Sequence, residues 1–147
     1  MNPYDFRSEV IRPVLKRAKL WSLDAEWLLL RTAKAESDLD ALKQRGGPAL
    51  GVYQIEPATH NDIWKNYLAY RPIKAARILA HSCSVPQHRQ LIWNLGYATL
   101  IARLVYLRSP RPLPGAADLR GQALIWKAIY NTYLGKGTIQ HFLEANQ

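Results

Sequence analysis

Cysteine occurs once in the 147 residues, at Cys83. No disulfide can form within the chain, and its stability has to come from a packed core. Long apolar runs are missing too. The longest, such as Trp27–Leu30, falls far short of the roughly 20 residues that span a bilayer, which excludes a membrane-spanning helix. Metal-binding patterns are absent: His60, His81, His88 and His141 form no HExxH pair, and one cysteine cannot build a thiolate-rich zinc site. No Gly-x-Ser-x-Gly elbow and no phosphate-cradling glycine loop occurs, so esterase and nucleotide-hydrolase chemistry find no support and no cofactor is expected. A Cys83–His peptidase pair is possible in principle, but a lone cysteine is ordinarily a structural or inert residue. There is no internal repeat and no low-complexity tract. The first residues, MNPYDFRSEVIRPVLKRAKLW, carry charges through what would be the apolar stretch of a secretory leader, so synthesis in a cytoplasm without a cleavable leader is expected.

What is present is ordinary globular composition, with 48% hydrophobic and 21% charged residues, and the length of one domain covering 1–147. Acidic residues are outnumbered, 11 Asp plus Glu against 20 Lys plus Arg, and the formal charge of +9 calls for a negatively charged partner without saying which. The apolar spacing is helical almost throughout. Asn2 before Pro3 reads as a cap, with Phe6, Val10 and Val14 on one face and Pro13 as a kink. Ser22 or Asp24 caps a helix that stacks Leu23, Trp27 and Leu30 and runs to about Glu36. Gly46, Gly47, Pro48 and Gly51 mark a tight loop, and Pro57 opens a helix to about Tyr70. Pro72 begins another through Ala80, and Pro86 a longer one carrying Leu91, Leu95, Ala98, Ala102 and Val105. Residues 109–115 read as a stiff extended loop. Leu119 to Tyr130 and Ile139 to Ala145 complete an all-α chain, mainly helical α+β at most, because no alternating strand pattern lasts more than a few residues. Trp27, Trp93 and Trp126 sit in apolar helical stretches and read mainly as core.

Three separated blocks stand out: Ala35-Glu36-Ser37, then Pro48-Ala49-Leu50-Gly51-Val52-Tyr53-Gln54-Ile55-Glu56-Pro57-Ala58-Thr59, then Ala128-Ile129-Tyr130-Asn131. Each is weak alone. Their order and spacing, with Glu36 and Gln54 separated by 18, resemble the soluble lytic transglycosylase family, which shares the goose-type lysozyme fold. Asn94-Leu95-Gly96 resembles a fourth, weaker element, and Gly135 a later glycine. The resemblance spans roughly residues 24–135. It implies a lysozyme-like domain with a substrate cleft and cleavage of the β-1,4 bond between N-acetylmuramic acid and N-acetylglucosamine in peptidoglycan, giving 1,6-anhydromuramic products. Glu36 would be the acid/base, supported by Ser37. Tyr53, through its backbone, and Gln54 would line the sugar groove, and Tyr130 with Asn131 would close over the glutamate. No metal would be needed. The missing leader and basic charge then fit a bacteriophage lytic enzyme, an endolysin admitted by a holin-type pore or a virion component, acting on the periplasmic wall. Its partners would be peptidoglycan strands and the anionic cell envelope.

The residue chemistry agrees independently. Protonating a poor leaving-group oxygen requires a carboxylic acid kept neutral near pH 7 by burial among apolar groups, and Glu36 ends a Leu/Trp-rich helix. Two departures from the family pattern matter. Glu56 stands where an apolar residue is usual; facing the cleft, it would be a second carboxylate able to activate water and make a muramidase, and facing solvent, it would favour the positive end of the Pro57 helix. Thr132-Tyr133 replaces the usual Ala-Gly. The rival class is a non-enzymatic basic module binding cell wall or nucleic acid, but the basic residues are scattered and no nucleic-acid-binding signature occurs.

Overall fold

Asn2 opens the first helix by accepting hydrogen bonds at Oδ1 from the backbone of Tyr4 and Asp5. In this computed structural model, which describes residues 1–147, that helix is continuous but mixed: α over Pro3–Asp5, π over Phe6–Ile11 and α over Arg12–Arg17. The expected kink at Pro13 takes the form of the π segment. A proline ring collides with the carbonyl four residues back, and the Arg12 N–H reaches one residue further, to Arg7.

Ser22 caps the Leu23–Ser37 helix by accepting from Ala25, a contact worth about 1 kcal/mol. Asp24, the other candidate, instead accepts from the backbone of Ala116. The helix ends on Asp38 in the left-handed conformation. Ala25, Leu28, Leu29, Ala33 and Ala35 are buried, and the helix packs against Phe6–Ile11, Leu95–Leu107 and Ile139–Ala145. The Leu95–Leu107 helix is the axis of the fold, buried at every position from Tyr97 to Tyr106. A helix hydrophobic all round belongs in an interior.

Two boundaries differ from expectation. The Pro57 helix stops at Asn66 and is followed by a 3-10 turn over Leu68–Tyr70. The helix expected from Pro86 is instead a short Gln90–Trp93 segment and then Leu95–Leu107, broken at Asn94. Asn94 accepts from the Tyr97 N–H as a cap, while its amide donates to the carbonyl of His81. Its local side-chain bonding competes with the helix and restarts it. Trp93, read as core, is 59% exposed. Leu119–Ile125 continues as a π segment over Trp126–Asn131. There are no strands, only bridges of Leu50 with Lys43 and Ile55; the fold is all-α. No helix is long and apolar enough to cross a membrane.

The core is a main cluster around Leu95–Leu107 and a small satellite of Ala35, Ala123, Trp126 and Phe142; Tyr130 packs against both. At the start of the Leu23–Ser37 helix, Glu26 is fully buried and bonded by Arg7, Arg12 and the Trp21 indole. Burial pushes its pKa up, but hydrogen bonds from Arg12 and Trp21 and the charges of Arg12 and Arg7 prevail and hold it low. Glu26→Ala is expected to cost about 3 kcal/mol, the lower end for breaking a buried pair, because Arg12 can turn to water. Urea denaturation near pH 7 measures it.

Candidate active site

The helix Leu23–Ser37 ends where the main core meets the satellite, and this seam opens as a cleft of about 810 Å³. Its walls come from the end of that helix, the loop 44–49, the turn Gln54–Glu56, and residues 126–137 with His141. The three blocks distant in sequence therefore meet in one place.

Glu36 is fixed through its neighbours on both sides. Ser37 Oγ donates to the carbonyl of Val52 at 2.7 Å and more weakly to that of Ala33 at 3.3 Å. His141 donates from Nε2 to the carbonyl of Ala35 at 2.7 Å. The first contact ties the helix end to the second block and the second ties it to the last helix. Burial raises the Glu36 pKa to about 7, and the nearby Trp126 indole N–H offsets part of that rise; no cation contributes. That N–H is buried without a partner in full hydrogen-bonding geometry, so we regard its effect on Glu36 as a loose electrostatic one. Tyr106 and Tyr130 have phenol pKa values raised first by burial and then by the Glu36 charge. Their rings stack with centroids 5.3 Å apart.

Tyr130 Oη donates to the Tyr53 carbonyl at 2.7 Å, joining the third block to the second. Tyr53 is itself fully buried, with its hydroxyl paired to Thr99 at 3.0 Å. Gln54 lines the cleft in a left-handed conformation (φ 49°) and donates from Nε2 to the carbonyl of Gly51, leaving Oε1 without an internal partner. Gly51 also has positive φ, and a Cβ there would collide with the Leu91 carbonyl, so only glycine lets this loop lie against Gln90–Trp93. Glu56 is exposed, caps nothing with its side chain, and lines the same cleft as Glu36.

Asn131 lines the cleft, but its Oδ1 accepts from Lys127 Nζ at 2.7 Å. Lys127 also donates to the carbonyls of Gly135 and Gly137, so this pair shapes the wall. Thr132 has φ 65° and ψ 171°, a region nearly reserved for glycine that costs about 1–3 kcal/mol. Strain of that kind concentrates at functional sites.

Trp126, read as core, is buried and also lines the cleft beside Glu36. It sits four residues before Tyr130, and that helical spacing was the available signal. His141 had none, being 106 residues from its Ala35 partner. No cluster of three or more His, Cys, Asp or Glu side chains suited to a metal occurs in the fold. The chain has no significant match among known family models, characterised proteins or solved structures.

A carboxyl whose pKa is higher folded than unfolded favours folding only while it is protonated. That contribution is whole below about pH 4.5 and is lost as pH rises through about 7. Glu36→Gln should match the wild type in thermal stability at pH 4 and exceed it above pH 8 by up to about 3 kcal/mol. Equal stability across that range would show that Glu36 ionises as an ordinary surface carboxylate does.

Proposed function

We propose that the protein cleaves the β-1,4 bond between N-acetylmuramic acid and N-acetylglucosamine in peptidoglycan as a lytic transglycosylase in a goose-type lysozyme-like fold. The observation that carries this reading is Glu36, a carboxyl with pKa about 7 in a cleft and with no cation beside it. Such a group is protonated often enough near neutrality to donate, and basic enough afterwards to accept. The convergence on it of all three family-like blocks supports the same reading.

In this mechanism Glu36 protonates the glycosidic oxygen as the bond from that oxygen to the muramoyl C1 breaks. The resulting carboxylate takes the proton of the muramoyl 6-hydroxyl as O6 bonds to C1. Glu36 ends as it began, water is not consumed, and no second carboxylate is needed. Gln54 offers a side-chain oxygen to a sugar hydroxyl or amide, while Ser37 and Tyr130 act as positioning residues through the Val52 and Tyr53 carbonyls.

Glu36→Gln should lower turbidity loss from purified peptidoglycan by at least about a thousandfold while retaining the circular dichroism spectrum, since removal of a general acid/base costs about 10²–10⁴ per step. Wild-type activity should fall as pH rises through about 7. A variant keeping more than a few per cent of activity would remove Glu36 from catalysis. A binding module would sediment with the wall and never clear it.

A hydrolytic reading is favoured by one observation, the presence of Glu56 on the same cleft, where a carboxylate on the opposite face of the sugar can activate water. Mass spectrometry of the released muropeptides separates the two. Anhydro products from both wild type and Glu56→Gln are expected; reducing-end products that vanish in the variant would make the protein a muramidase.

A further inference from the structure

From Ile63 through Ala117 the sequence runs 55 residues without one Asp or Glu while holding eight Lys and Arg. Within this stretch the Pro72–Leu79 helix buries only part of its apolar surface. Ile78 is its one buried residue, while Ile73 (71% exposed) and Ala76 face solvent. Ile73, Ala76 and Ala80 recur at three- and four-residue spacing and so share one face. That face lines a groove of about 730 Å³ together with Arg17 and Arg77. Tyr70, just before the helix, is 75% exposed, and Leu79 is 42% exposed.

Neither Arg17 nor Arg77 is among the ion pairs of the chain, which join Arg7 and Arg12 to Glu26 and Arg108 to Asp62. Arg71 stacks on Tyr67, and Lys74 hydrogen-bonds its hydroxyl, so these cations are not neutralised either. The patch is an outward apolar stripe flanked by unpaired guanidinium groups, on the opposite pattern from a solvated helix.

We infer that this face, centred on Ile73, Arg77 and Arg17, docks the protein on an anionic lipid surface. An apolar face bordered by basic residues is what settles a helix into the plane of the headgroups. Tyr70 adds an amphipathic ring suited to that depth. Charge complementarity decides for an anionic surface, because no carboxylate lies anywhere on the segment to oppose it. Size decides for lipid over protein. One eight-residue helix is small beside the roughly 800 Å² that each partner gives to a stable protein interface, whereas each inserted side chain and each cation adds separately to lipid affinity. The inference stands apart from Glu36 and does not rest on its role.

The test is sedimentation of the full-length protein with large vesicles near physiological ionic strength. Vesicles of phosphatidylcholine containing about a third phosphatidylglycerol should bind at least about tenfold more tightly than phosphatidylcholine alone. Arg17→Glu with Arg77→Glu should lose that preference, and Ile73→Ser should weaken binding several-fold. All three residues are exposed, and circular dichroism checks the fold. Arg111→Glu with Arg120→Glu changes the net charge by the same amount at exposed positions elsewhere and should stay within about twofold of the wild type. The inference fails if the wild type shows no preference for anionic vesicles, the result expected were the partner an acidic protein. It fails equally if the control pair loses as much as the Arg17/Arg77 pair, or if Ile73→Ser binds as the wild type does.

Discussion

The carboxyl of Glu36 is withdrawn from water with no cation supplied in return, and the rest of the site is arranged around tolerating it. The contrast lies on the same helix. Glu26, ten residues earlier, is more deeply buried and yet stays ionised, because two guanidinium groups and an indole N–H replace its water. Glu36 receives only the loose approach of the Trp126 indole. Burial penalises both charges, and the cationic donors present at Glu26 and missing at Glu36 decide which of them remains charged. One end of the helix is thus locked into the fold by its acid, and the other carries an acid whose pKa is raised to about 7.

Placement is achieved by side chains gripping main-chain oxygens. Ser37 takes the carbonyl of Val52, Tyr130 that of Tyr53, His141 that of Ala35, and Lys127 those of Gly135 and Gly137. The loop 38–56 has little regular structure of its own, and the first two of these bonds supply partners that its carbonyls require. Ser37 and Tyr130 therefore act on Glu36 at one remove, through the backbone they hold. Four of the five non-glycine residues with positive φ gather in the same region, Asp38 and Leu39 just beyond the helix end and Gln54 and Thr132 on the cleft wall, while the fifth, Lys19, follows the first helix. Tertiary bonds over-determine a backbone that local preference would not choose.

Much of this was legible beforehand where the cause is local. Asn2 and Ser22 announce helix starts through oxygens that reach the next turn, and Pro3, Pro57 and Pro72 occupy first turns as their fixed φ allows. Glu36 at a helix end was also readable from the cap and apolar period of its helix, and Gln54 and Tyr130 line the same cleft as it does. What was missed depends on distant partners. Pro86 looked like a helix start, but Asn94, bonded across to His81, sets the break. Trp126 looked like core and is core, yet one edge of a buried ring can still face a cleft. His141 finds Ala35 only once the last helix has docked. Pro13 announced a disruption, and the structure resolves it into a π segment in which Phe6 and Ile11 are both buried.

The π segment over Trp126–Asn131 has a consequence for how this wall of the cleft can vary. It closes its hydrogen bonds one residue late, as in Thr132 N–H to the Lys127 carbonyl, so it behaves as an α-helix that has absorbed a one-residue insertion. Everything after it is rotated by about 100°, the angular step of a single helical residue, relative to a plain continuation. Removing one residue here would leave a sound helix and swing Asn131 and the turn behind it away from Glu36. At this point the residue count itself sets the aim of the wall.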